Sequence, residues 1–174
     1  MSPPFSAAGN LPLPRWAYVP GETEEANADY ETLAQVKLLV PSAFRGYVPA
    51  RHPALRYSIA LNDRGYFWEA QEILETVWAA APQGGRERFL LRACIHIANA
   101  NLRLRMQKQN AAARHLREAH AELKALGLRK ATAAGDGFAD GFPTDALALQ
   151  LAARLALPSL SKADWVALSA IART

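Results

Sequence analysis

The sequence predicts an all-α fold, an antiparallel helical bundle behind an extended, proline-rich N-terminal arm. Composition is the first indication. Hydrophobic residues make up 51% and charged residues 21% of the chain, an ordinary globular balance in which alanine and leucine outweigh β-branched residues. The second is the recurrence of apolar residues at three- and four-residue spacing from residue 54 onward. The third is the shortness of the polar breaks between those segments, which makes consecutive helices antiparallel neighbours. Nowhere does the pattern alternate as a strand would.

Residues 1–21 carry Pro3, Pro4, Pro12, Pro14 and Pro20 and are expected to be extended, with Trp16 and Tyr18 pinning them to the body. A first helix is expected over 23–39, with Thr23 as its cap, Glu24 and Glu25 in its first turn and Pro41 beyond its end. Pro41, Gly46, Pro49 and Pro53 mark a loop. Helices follow over 54–62, 65–80, 86–107 and 110–126, broken by "PQGG" (82–85) and "QKQN" (107–110). "GDGFADGFP" (135–143) reads as a glycine-rich loop. A further helix starts around Pro143 to Asp145 and stops before Pro158. A last short one follows Ser161, with Asp164 in its first turn and Trp165 packing it onto the bundle. The arm 1–21 thus precedes a single domain over 22–174.

The single cysteine, Cys94, excludes an intramolecular disulfide and a cysteine-based zinc site, and it reads as a small core residue. It fits a reducing interior. The first residues lack a positive start followed by an apolar run, and no segment approaches ~18 uninterrupted apolar residues. The chain is therefore expected to be cytoplasmic, with no membrane partner. A formal charge of +4 and a pI near 9.5 permit nucleic-acid contact without arguing for it.

"GYFWEAQEILETVW" (65–78) places three glutamates at three-residue spacing. At about 100° per residue, Ile73, Tyr66, Val77, Ala70, Leu74, Phe67 and Trp78 cover an arc from about 40° to about 180° from Glu69. Glu72 and Glu75 lie on the opposite side, at about 300° and 240°. The helix is amphipathic, and a solvated acidic face is the plain expectation. Trp68 lies among the acids and is costly to leave in water. On the next helix Arg92, His96, Asn99 and Arg103 align along one side, where they would meet Gln71, Glu72 and Glu75. That pairing would satisfy charges that are expensive to bury alone. Glu69 is expected near solvent. The candidate polar seam is Gln71, Glu72, Glu75, Trp78, His96 and Arg103.

"LNDRGYFWEAQEILETVW" and "RERFLLRACIHIANANLRLRMQKQNAAARHL" resemble a family of small helical proteins catalogued as domain of unknown function 309. Its hallmark is glycine, an aromatic pair, Glu-Ala-His-Glu, then glutamate and tryptophan; Gly65, Tyr66, Trp68, Glu69, Ala70, Glu72, Glu75 and Trp78 fit it. Gln71 stands where the family has histidine. In the second hallmark Phe89, Leu90, Ile95, Ala98 and Ala100 fit, while His96 takes a glutamine position and Arg103 falls near a later histidine. The resemblance implies an all-helical fold and no reaction. The exchange of imidazole and amide between the two helices implies contact between Gln71 and His96.

Several functions remain open from the sequence. Glu72 or Glu75 beside His96 would make an acid–base pair, the carboxylate raising the basicity of the imidazole. No nucleophile motif, phosphate loop or cofactor fingerprint accompanies it, so whether the protein is an enzyme is left open and no cofactor is expected. A metal held by Glu72, Glu75 and His96 lacks the glutamate–histidine spacing that bundle sites use, and His115 and His120 are five residues apart, so no metal is expected. Gly65, Phe67, Ala70 and Pro82 resemble a tetratricopeptide unit, yet no second copy follows at the required period of about 34 residues. The leading expectation is a helical interaction or structural module meeting a protein partner or a second copy of itself. The alternative is an enzyme or small-ligand site in the seam. The basic residues Arg86, Arg88, Arg92, Arg103, Arg105 and Lys108 spread around their helix and make a poor phosphate track.

Overall fold

The computed structural model describes residues 11–24, 28–129, 135 and 137–169. The expectations for Pro3, Pro4, Glu25 and Asp136 lie outside these residues. Among the described residues the fold is all-α. It comprises α1 (Tyr30–Lys37), α2 (Pro53–Asp63), α3 (Phe67–Ala80), α4 (Arg86–Arg105), α5 (Gln109–Gly127), α6 (Phe138–Gly141) and α7 (Thr144–Leu155), then a 3-10 turn at Lys162–Asp164. Only isolated bridges, Pro20 with Thr23 and Pro49 with Gly137, stand in for sheet.

The bundle is built around α4. It packs against α3 on one side and α5 on the other, and meets α6 and the 3-10 turn as well. Leu90, Leu91, Ala93, Cys94, Ile97, Ala98, Ala100, Leu102 and Leu104 are all buried on it. The small residues in that set let the neighbouring helices approach closely, and the leucines fill the space between them. Cys94 is a free, buried thiol whose pKa burial pushes up to about 12, so it is packing and not a nucleophile.

Local chemistry fixes the turns. Pro53 opens α2, and His52 caps it by accepting from the Ala54 N–H at 3.2 Å. Gly65 closes α2 with φ +90°, while Tyr66 N–H donates to Leu61 O at 2.9 Å and Gly65 N–H to Asn62 O at 3.2 Å. That left-handed residue delays the start of α3 to Phe67. The same motif ends α4 at Arg105 and not at residue 107: Lys108 N–H donates to Arg103 O at 2.8 Å and Gln107 N–H to Leu104 O at 3.0 Å. Here the left-handed position is Gln107, φ +61°.

The first helix is shorter than expected. It starts at Tyr30, capped by Asp29, which accepts from the Thr32 N–H at 3.2 Å. Thr23 does not cap it. Its hydroxyl accepts from the Val19 N–H at 2.7 Å and closes a turn through Gly21. Local side-chain bonding of this kind competes with helix, and the aspartate nearer the helix wins the cap. In the arm, Tyr18 does the pinning, edge-on to Trp68 at 5.1 Å between centroids, while Trp16 stays 39% exposed. The glycine-rich stretch contains a short helix, α6, that its composition hid. Trp165 packs against Phe67, tilted 50° at 6.0 Å between centroids, and so joins the last segment to the bundle as expected.

A side chain in the left-handed region costs on the order of 1–2 kcal/mol. Gln107→Gly is therefore expected to stabilise the protein by about 1 kcal/mol, less the entropy that glycine adds to the unfolded chain, raising Tm by roughly 2–4 °C. Thermal unfolding of the two proteins checks this; an unchanged or lower Tm contradicts it.

Candidate functional site

A groove with a cavity of about 440 Å³ runs between α3 and α4, lined by Glu75, Trp78, Ala79, Arg92, Ile95, His96 and Asn99. Its apolar surface comes from Trp78, Ala79 and Ile95. The Arg88 and Arg92 guanidiniums lie 4.3 and 5.6 Å from the Trp78 ring centroid, and the buried Trp78 Nε1–H has no hydrogen-bond partner. Cations over an indole face are favourable and hold the ring in place.

Three residues of the expected seam, Glu75, Trp78 and His96, line this groove. Gln71 reaches its edge, donating to Glu75 Oε1 at 3.1 Å along α3. Glu72 turns away and pairs with Lys37 of α1 at 3.2 Å. Arg103 also lies outside, its Nη1 3.7 Å from Met106 Sδ. The expected contact between Gln71 and His96 does not form, because each finds a nearer partner. His96 meets His115 of α5 instead, Nδ1 to Nδ1 at 3.1 Å. A hydrogen bond there needs one ring to donate and the other to accept. Burial lowers the pKa of both rings, and for His115 the charges of His96, Arg103 and Arg114 deepen the shift to about 4. Both shifts run opposite to the raised imidazole expected beside a carboxylate. Among the described residues neither candidate glutamate hydrogen-bonds His96, since Glu72 pairs with Lys37 and Glu75 accepts from Gln71. Among the described residues no three His, Cys, Asp or Glu side chains stand close enough to hold a metal ion.

The expectation for Glu69 is overturned. It is fully buried, with Oε2 accepting from the Tyr18 N–H at 2.7 Å and Oε1 left without a partner. The helical wheel sees only the face of α3 toward the bundle. The arm and α1 cover the opposite face, with Tyr18 and Tyr30 packed edge-on to Trp68. Trp68 was the one signal of that second cover. Burial raises the Glu69 pKa to about 7, the Tyr18 N–H opposing it and the charges of Asp29 and Glu72 adding to it. Nearby Asp29 is also buried, yet hydrogen bonds from Arg15 and Thr32 outweigh desolvation and hold it at about 2.

Several basic residues of α4 have internal partners, Arg92 the loosest of them. Arg86 pairs with Asp140 at 3.0 Å, Arg92 with Glu122 at 3.6 Å and Arg105 with Glu22 at 3.1 Å. Arg88 Nε donates to Ala81 O at 3.3 Å. They form no free row for a phosphate backbone. Pattern reading also missed Glu87, buried and accepting from the Val48 N–H at 3.3 Å, and the trio Asn62, Asp63 and Asn101 described below.

Together these features define a small helical-hairpin bundle with an open groove on one face and an arm laid over another. Residues 55–115, from α2 into α5, match the model of the family described as Domain of unknown function (DUF309). The resemblance carried by the glutamate helix and its partner is thus borne out over the core of the bundle. No curated protein matches the chain, and no solved structure does.

The buried Glu69 carboxyl makes a pH prediction. Its folded pKa lies above the ordinary value, so its contribution to stability is complete below about pH 4.5 and is lost as pH rises to about 7. Glu69→Gln retains an acceptor for Tyr18 and removes the titration. Between pH 4.5 and 8 the wild type should lose up to about 3 kcal/mol relative to this variant. Urea unfolding at both pH values checks it; parallel pH profiles contradict it.

Proposed function

We propose that this protein is an interaction module whose α3–α4 groove receives an acidic segment of a partner protein anchored by an apolar side chain. The observation that carries the reading is the groove itself, an aromatic and aliphatic floor under arginines, open to solvent. An apolar anchor would cover Ile95 and Ala79 beside Trp78. A carboxylate would meet Arg92, which is exposed and only loosely paired with Glu122. Glu75 and Asn99 on the rim are placed to bond the backbone of an incoming chain. Aromatic and arginine residues of this kind supply most of the energy in many interfaces. No described helix is long and apolar enough to cross a membrane, and the buried free thiol suits the reducing cytoplasm we infer as its setting.

Selection of a random peptide library on the wild-type protein, with counter-selection on Ile95→Arg, tests the reading. Enriched peptides should carry aspartate or glutamate within a few residues of leucine, phenylalanine or tryptophan. Arg92→Glu should weaken them on the order of tenfold. Peptides that bind Ile95→Arg equally well, or enrichment without acidic residues, would overturn it.

A further inference from the structure

After the 3-10 turn the chain crosses the end of the bundle as a short strap, extended over 165–167 and bending at Leu168, and side chains of α2 and α4 hold its backbone. Asn101 clamps Val166 with both amide atoms: Val166 N–H donates to Oδ1 at 2.8 Å and Nδ2 donates to Val166 O at 2.9 Å. Asn62 Nδ2 donates to the same carbonyl at 3.1 Å, and its Oδ1 accepts from Asn101 at 2.8 Å. Asp63 accepts from the Leu168 N–H at 2.6 Å and the Ser169 N–H at 2.7 Å, and from the Ser169 hydroxyl. Val166 and Leu168, two residues apart, are fully buried, as are Asn62 and Asn101.

This is how proteins take up extended peptides: main-chain hydrogen bonds hold the chain and pockets for alternate side chains select it. Two further observations separate the receiving site from its occupant. Asn62, Asp63 and Asn101 all lie within the family-matched residues 55–115, while the strap lies outside them. The strap is joined to α7 through residues 156–159, each of them exposed. Beside it opens a cavity of about 490 Å³ walled in part by Asp63, Asn101, Phe67 and Trp165, so the strap borders open space while Asn62 and Asn101 stay buried.

We propose that Asn62, Asp63 and Asn101 form a peptide-binding site for an extended segment with apolar residues two apart, that residues 165–169 are its exchangeable occupant, and that the same segment from a second copy of this chain is the partner that replaces it. Such an exchange needs no new contacts, since the swapped segment makes the bonds it makes at home.

The test keeps the chain whole through folding. A protease site replaces residues 156–159 of the full-length protein, the folded protein is cut, and a fluorescent peptide of residues 160–174 is added. Saturable uptake with helical circular dichroism retained, displaced by unlabelled peptide and at least tenfold weaker for a Val166→Asp peptide, is the expected result. The uncut native chain should show a dimer fraction that rises with concentration and falls with excess peptide. Failure of the cut strap to exchange, loss of the helices on its release, equal uptake of the Val166→Asp peptide, or an uncut chain monomeric at every concentration would each overturn the proposal.

Discussion

The burial of α4 is the constraint on which the other elements depend. With Leu90, Leu91, Ile97 and Leu104 filling the centre and alanines between them, this helix has neighbours on nearly every side. Each fully buried aliphatic side chain contributes about 1.5–3 kcal/mol, so the apolar set dominates the stability of the bundle. The same burial leaves Glu87 and Asn101 of α4 no recourse to water. Glu87 must find the Val48 N–H and Asn101 must find Asn62 and Val166, while His96, half-buried, meets His115. Those demands draw in the 41–53 loop, the C-terminal strap and α5. Polar groups buried without such partners would cost more than the hydrogen bonds return.

A second layer is built on α3 rather than α4. Its outward face carries Trp68 and Glu69, and neither tolerates its position without a cover. The arm supplies one through Tyr18, and Tyr57 fastens the same segment by donating to Pro12 O at 2.6 Å. Arg15 and Asp29 add an ion pair at 3.3 Å. The two buried carboxyls under this cover behave oppositely. Asp29 has enough donors to be held at about 2; Glu69 has fewer, its Oε1 lacks a partner, and burial pushes it up to about 7. Among the described residues no such cover lies over Glu75 and Ala79, which line the open groove.

Much of the bundle was legible because its determinants are local. Pro53, Gly65, the "PQGG" break and the three-four periodicity of 86–105 each act within a turn or two of chain. The site was legible only in part. Glu75, Trp78 and His96 share a groove as the helical faces required, but Glu72 and Arg103 answer to neighbours outside that pair of helices. Glu69 was misplaced because periodicity reports which face of a helix is apolar, and says nothing of a proline-rich arm folding over the polar face. The His96–His115 contact and the Asn101 clamp join residues far apart in sequence, and no spacing rule anticipates them. Asn101 did leave a trace, as a lone amide among the buried alanines and leucines of α4. The late start of α1 reflects a contest between two capping residues that differ only in what else each can bond.

Residue-resolved hydrogen exchange of the native protein tests most directly whether α4 organises the fold. The slowest amides should be those of Leu90 to Leu104, exchanging only with global unfolding, with facing turns of α3 and α5 next and α1 and α7 opening well below that energy. Protection in α4 no greater than in α1 would contradict the account, since the helix that holds Glu87 and Asn101 would then open independently of their partners.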